Sequence, residues 1–377
     1  MPENPDLWFI SNGDYDSERY RYEDVAGQLN VLSFPFNFGR VPTDASMISY
    51  LARLIYSFNN MIDLTASIRR DGSSKFGSTN RWGNFPSFAL GVKLTEFSFF
   101  PKSDMLNFLK LRFGWGQLGN QEIGDYAAFT SVAYGFDYTL GPNSARESYS
   151  GGAPRGFANQ GIKWEATDQL NIGIDGNLLR YKLTVNFDYF IRNTKDMLAQ
   201  VPVPGVAGIM DPPYVNIGSV SNKGFELNLN YRNRDGIFKY GVGINLGSVK
   251  NEVTSLGEGE PINSAAFRAG YLIARTEVGH PIASFYGYKT DGYYQTQAEI
   301  DSLNQKAAEV TGKPTATFDG RVQPGDIKMA DINNDHVISS EDRTFIGNPH
   351  PKLTYGVNID LEFKQFDLSI FGQGVYG

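Results

Sequence analysis

The run with the most evident chemistry is Asp331-Ile332-Asn333-Asn334-Asp335-His336-Val337-Ile338-Ser339-Ser340-Glu341-Asp342. Side-chain oxygens of Asp331, Asn333, Asp335, Ser339 and Asp342, with the Val337 carbonyl, follow the spacing of a calcium loop, and a hard cation takes about six to eight such donors. His336 departs from the pattern, because its position normally carries a glycine at a sharp turn. Asx turns on a solvated loop account for the same residues, so a Ca2+ site and simple turns both stand as readings.

Gly114-Trp115-Gly116-Gln117-Leu118-Gly119 spells a dinucleotide fingerprint, yet Asn120-Gln121-Glu122-Ile123-Gly124 does not open the helix that such a site needs. Small residues on one face of a strand entering a loop explain these glycines better. The histidines, His280, His336 and His350, fit no helix-borne metal pair, and no G-x-S-x-G elbow occurs. Glu258 and Glu260 sit in a Gly-rich loop, where solvated charge is the default. No cysteine is present to act as a nucleophile. The expectation is a protein that is not an enzyme.

The elements that carry these residues are β-strands. The chain has 377 residues with 41 Gly, 21 Tyr and 27 Phe, a mixture that suits pleated surfaces and interrupts helices. A net charge of −7 without a basic run argues against a nucleic-acid partner. No apolar run reaches the roughly 18 residues that a membrane helix needs. Met1-Pro2-Glu3-Asn4-Pro5-Asp6 lacks the basic start and apolar run of a secretory leader, so an exported protein is expected to begin elsewhere.

Period-two alternation in segments of about ten residues is the dominant signal, and that length suits transmembrane strands. Leu111, Phe113 and Trp115 oppose Lys110, Arg112 and Gly114. Leu170, Ile172 and Ile174 lead through Leu179-Arg180 into Leu183, Val185, Phe187, Tyr189 and Ile191, which oppose Thr184, Asn186, Asp188 and Arg192. Further hairpins are expected at Asn59-Asn60, at Asn233-Arg234-Asp235-Gly236 and at Lys364-Gln365. Long polar connections are expected near 71–84, 118–167, 193–223 and 248–352, with short ones opposite them; 96–107 is long for its side. Tyr181, Tyr189, Tyr231, Tyr240, Phe363 and Phe366 are candidate interfacial girdle residues. Within 248–352, Thr296-Gln297-Ala298-Glu299 predicts a capping box, with a helix near 297–311 that places Ile300, Leu303 and Ala307 on one face and ends at Gly312.

Several ordered strings resemble the SusC/RagA family of TonB-dependent outer-membrane transporters. They are Leu64-Thr65-Ala66-Ser67-Ile68-Arg69-Arg70-Asp71-Gly72-Ser73-Ser74-Lys75-Phe76-Gly77, Asn80-Arg81-Trp82-Gly83-Asn84-Phe85-Pro86-Ser87, and the stretch from Leu109 to Gln121. Further along, the stretches from Asn216 to Leu227, Gly325 to Lys328 and Ile346 to Lys352 continue the likeness, which covers most of 46–377. The resemblance implies an all-β fold: part of an antiparallel transmembrane β-barrel, about ten or more strands of the family's 22, with long extracellular loops. Residues 1–377 would then be one barrel portion, with the plug and the last strands lying outside it.

The resemblance further implies an outer-membrane protein of a Gram-negative bacterium, importing oligosaccharides, glycan fragments or peptides. Its implied partners are outer-membrane lipid, a SusD-like surface lipoprotein and TonB acting through the plug. Trp82, Tyr134, Phe136, Tyr138 and Tyr149 are candidates to stack on sugars. The alternative is a soluble extracellular carbohydrate-binding β-domain, which would bury its apolar strand faces against a second sheet.

Overall fold

The computed structural model describes residues 45–377 except 102, 125–127, 129–131, 135–137, 141–146, 150, 155, 201–205, 207, 209–212, 258–260 and 268–270. Strands β1 (Met47–Phe58), β2 (Ile62–Ser73), β3 (Trp82–Lys93), β4 (Leu106–Asn120), β5 (Glu165–Leu178), β6 (Leu183–Lys195), β7 (Ser219–Asn233), β8 (Phe238–Ser255), β9 (Leu353–Phe363) and β10 (Phe366–Tyr376) form one ten-stranded sheet. Each pairs antiparallel with its neighbour in sequence, so the sheet is an uninterrupted meander.

Register turns the alternation of single strands into two chemically distinct faces, because directly paired residues point to the same side. One row reads Phe58, Ile62, Val92, Leu111, Ile174, Phe187, Leu227, Leu246 and Tyr355 across β1 to β9. The next row, on the opposite face, reads Ser57, Asp63, Gly91, Arg112, Gly173, Asp188, Glu226, Gly247 and Thr354. A slip by one residue in any strand would interchange the faces there.

Among the described residues, the apolar face carries no second layer. Phe113, Ile172 and Ile370 are 39%, 47% and 49% exposed, values that a sandwich core would bring close to zero. The reading as a soluble, two-layered carbohydrate-binding domain is therefore corrected. The buried clusters lie instead at the loop-side ends of the strands and among the connections, as with Val220 and Val253, or with Phe76, Ile123 and Ile162 packed on Trp164.

All four expected hairpins form, and their tight turns share one end of the sheet. Asn59 and Asn60 take left-handed φ values of 43° and 58° there. The long connections are shorter than the alternation suggested, because the strands run on past the apolar rows. Gln117, Asp168, Asn193, Ser221 and Glu252 form a polar row at the loop-side end of the apolar face. Backbone pairing there is reinforced by Gln117 Nε2 donating to Asp168 at 2.7 Å and Ser221 Oγ donating to Asn193 at 2.8 Å.

The 248–352 region is far from structureless. Ile262–Phe267, Tyr271–Thr276, Ser284–Tyr288 and Arg343–Gly347 make a four-stranded sheet, and helix α1 spans Gln297–Thr311. Thr296 Oγ1 accepts the Glu299 N–H at 3.2 Å, and Gly312 at φ 67° ends the helix. The reciprocal half of the capping box differs from expectation. Glu299 accepts the Gln295 N–H at 2.9 Å instead, while its other oxygen takes Lys328 at 3.2 Å. Ile300 packs with Tyr294 and Phe318, with Leu303 beside them.

Candidate functional site

The polar face of the sheet gathers the chain's interior chemistry. At its centre the Arg112 guanidinium donates to Asp175 at 2.7 and 2.9 Å and to Asp188 at 2.8 and 2.9 Å. Bidentate pairing of this kind is the strong form of a charged hydrogen bond. Gly173 lies beneath the fork: a Cβ there would sit 2.6 Å from Arg112 Cζ. Asn186 adds a donor to Asp175 at 2.9 Å. Toward the turn end, Lys93 and Lys110 share Asp63 at 3.3 and 3.5 Å.

Toward the loop end the same face opens into a hollow of about 550 Å³. Ala89, Gly114 and Gly116 line its floor, Arg53, Ser67 and Ser87 one side, and Gln169 and Asn171 the other. Phe85 and Trp164 close the loop-side end, their rings meeting edge-on at 5.4 Å. Gly119 is required beside them, since a Cβ there would fall 2.0 Å from the Phe85 ring. The G-x-G-x-x-G run thus lies in β4, where at least Gly119 serves packing against an aromatic ring.

The aromatic candidates separate. Trp82 lies on the apolar face over Gly72, 6.1 Å from the Tyr50 ring, with Arg70 5.0 Å above it. Tyr138 and Tyr149 stack at 5.8 Å; the Tyr134 side chain and Phe136 lie outside the described residues, as do Glu258 and Glu260. Of the girdle candidates, Tyr231 and Tyr240 meet at 5.9 Å and Phe363 pairs with Phe366 at the turn end. Tyr189 sits deeper than expected, in the row of Phe113, Ile172 and Phe225. The two aromatic rings at the end of the hollow that sequence reasoning missed, Phe85 and Trp164, belong to no repeating pattern; only the glycines around them hint at their bulk.

The acidic loop directs its oxygens inward. Asp331 accepts the N–H groups of Asp335 and His336 at 3.2 and 2.9 Å, and Asp335 accepts that of Val337 at 2.8 Å. The fully buried Asp342 accepts from Ile332 and Ser339 at 2.8 and 2.7 Å, and Ser339 in turn caps the short helix Ser340–Asp342. Asn333 donates to Asp335 at 3.1 Å. An ionised carboxylate has roughly four lone-pair sites, so these bonds leave acceptor capacity on Asp331, Asp335 and Asp342. Asn334 and His336 take φ values of 59° and 64°, so His336 does adopt the backbone form that glycine normally supplies.

Beside this loop, the Gln295 N–H and then Lys328 hold the Glu299 carboxyl below its ordinary range, and Glu299 raises Lys328 in return. Burial, with Asp319 alongside, pushes the Tyr294 phenol well above its ordinary value.

The family model for TonB dependent receptor-like β-barrels matches residues 5–326. TonB-dependent receptor P3 of Formosa agariphila is 31% identical over 89% of this chain and 32% of its own length. TonB-dependent receptor SusC of Bacteroides thetaiotaomicron is 32% identical over 87% of this chain and 31% of its own length. Among solved structures, the RagAB peptide transporter superposes with a TM-score of 0.65 at 24% identity, covering 87% of this chain and 33% of that one. The chain therefore spans about a third of the length of these relatives. The long match to the family model and the single-layered meander with one apolar and one polar face agree with the SusC/RagA likeness of the sequence strings: the chain belongs to the TonB-dependent receptor β-barrel family.

Proposed function

We propose that this chain forms part of the wall of an outer-membrane transporter that imports oligosaccharides, glycan fragments or peptides. The observation that carries this is the pair of faces running across all ten strands. An uncovered apolar face suits lipid, and a polar face with charges paired in place suits a water-filled lumen. In lipid, backbone groups at the sheet edges need partners, so β1 and β10 would pair with further strands of the same barrel. The name of RagAB describes a peptide transporter, and SusC is named as a TonB-dependent receptor; together the names support TonB-dependent uptake. A SusD-like lipoprotein on the loop side completes the proposal.

No catalytic turnover is part of this role, since a gated passage needs shape and not a nucleophile–base pair. Deleting the parent gene should abolish growth on one glycan or peptide source while surface hydrolysis of that source continues. Normal growth of the deletion strain on every such source would sink the proposal. Cleavage of the imported nutrient by the purified parent protein alone would show the non-enzymatic reading to be wrong.

A calcium ion in the 331–342 loop belongs to the same proposal. Asp331, Asn333, Asp335, Val337, Ser339 and Asp342 would supply its oxygens, although among the described residues their carboxylates are not gathered as a metal cluster, so binding would draw them together and stiffen a loop on the outer side.

A further inference from the structure

The polar face is divided. In its lower part the ionised groups satisfy one another, as Arg112 does with Asp175 and Asp188. In the hollow above only part of the charge is matched: Arg69 pairs with Asp71 at 2.7 Å, while Arg53 is left over. Among the described residues, Arg53, Gln169 and Asn171 all line the hollow without a hydrogen-bond or ion-pair partner. At the same place the buried Oε1 of Gln121 has no donor. Ser67 and Ser87 share one hydrogen bond of 2.7 Å, which leaves further acceptor capacity on both.

Arg53, Ser67, Ser87 and Gln169 lie in one register row, with Asn171 on the same face two residues further along β5. Arg53 pairs with Ser67, Ser67 with Ser87, Ser87 with Gly116, and Gly116 with Gln169, so one row crosses β1 to β5. Four inter-strand spacings separate its ends by about 19 Å. No single sugar or amino acid bridges that distance; an extended peptide of about six residues does. Gly116 at the middle keeps the floor low, because a Cβ there would approach Ser87 Cβ to 2.9 Å. The unspent groups comprise a guanidinium, which only donates, and amides, which donate and accept.

Resting on the uptake reading above, we propose that this row is a binding track for an extended oligomer, with Arg53 pairing with an oxyanion on the ligand and Gln169 and Asn171 meeting its hydroxyl or amide groups. The oxyanion is a carboxylate or a group of like geometry, which a guanidinium grips with two parallel bonds. Acidic glycans and acidic peptides both supply it, and the two are told apart by the probes below.

The test uses the full-length parent protein in detergent, with calorimetric titration of a galacturonate hexamer, a neutral galactose hexamer, and an acidic hexapeptide with free or amidated carboxylates. One acidic probe should bind at least tenfold more tightly than its neutral counterpart, with an advantage that shrinks as salt is raised. Arg53→Gln should remove that advantage, about a tenfold loss, and Arg53→Lys should keep part of it. Arg234→Gln, at a turn far from the hollow, serves as the charge-matched control, and heat-modifiable gel mobility verifies that every variant folds. Equal binding by Arg53→Gln and the wild type, or no preference for either acidic probe, would overturn the track. A strain carrying Arg53→Gln that grows as the wild type does, where the deletion strain fails, overturns the track and leaves uptake standing.

Discussion

Arg112 and Asp188 face each other across the intervening strand β5, joined by hydrogen bonds of 2.8 and 2.9 Å that pass over Gly173. The relationship depends on a residue that makes no bond of its own: with a side chain at Gly173 the guanidinium would have no space. Arg112 is 31% exposed and Asp188 23%, so water screens the pair and its worth is that of a half-buried charged network.

Gly173→Ala should displace Arg112 from both carboxylates and lower the stability of the folded barrel by about 1–3 kcal/mol. Arg112→Ala should cost a similar amount by leaving Asp175 and Asp188 adjacent and unpaired. Urea titration of the parent protein in liposomes measures both. A double variant costing the sum of the two single changes would show that Gly173 does not act through Arg112.

Phe187 sits in the apolar row beside Ile174 and Leu227. Phe187→Arg should destabilise the inserted barrel by roughly 2–4 kcal/mol if the residue lies near the bilayer midplane, with a smaller penalty nearer either interface. An unchanged refolding yield and midpoint in lipid would place this face away from the membrane.

Leu179, Arg180 and Tyr181 take successive φ values of 55°, 57° and 64°, a left-handed run without glycine. The neighbouring connection holds it in place: Leu179 N donates to the Met105 carbonyl at 3.0 Å and Arg180 N to that of Asp104 at 3.0 Å. Each non-glycine residue in this form costs about 1–2 kcal/mol. Leu179→Gly should relieve part of that and stabilise by up to about 1 kcal/mol in a thermal melt of the parent. A large destabilisation would mean that the Leu179 side chain, not the backbone, secures the turn.

The helix beside the acidic loop should be sensitive to acid. The Glu299 carboxyl titrates below its ordinary 4.5, so its contribution is present above that value and is lost as pH falls through the lowered one. Lys328 titrates above its ordinary 10.5, so its contribution holds below that value and is lost as pH rises through the raised one. Limited proteolysis near 296–328 should therefore accelerate in acid for the wild type. Glu299→Gln should cut more readily at neutral pH and lose the acid step; an unchanged acid step would assign it to other groups.

For the acidic loop, calcium should slow proteolysis of 331–342 in the parent, and Asp331→Ala or Asp335→Ala should remove the effect. Those substitutions also delete acceptors for the N–H groups of His336 and Val337, so the comparison is made with and without calcium. Variants that keep an undiminished calcium response would leave the loop as Asx turns alone.

Four hairpins, their order and the two faces of their strands were legible in the sequence wherever side chains alternate, because a period of two needs only local information; the number of strands came from the family resemblance. The helix was legible for the same reason, through Thr296 and Gly312 at its ends. The strand ends were not: above Trp115 the backbone ladder continues through Gln117 while the apolar signal stops, and hydrogen bonds between strands do not depend on side-chain polarity. Nor was the hollow. Arg53 and Gln169 are far apart in the chain and share a row only because four successive registers bring them there, and Phe85 faces the same space because Gly83 and Gly119 leave room for its ring. By itself the sequence determined which residues share a face within a strand; which residues share a row was decided by tertiary pairing, since register is a property of neighbouring strands and not of any one of them.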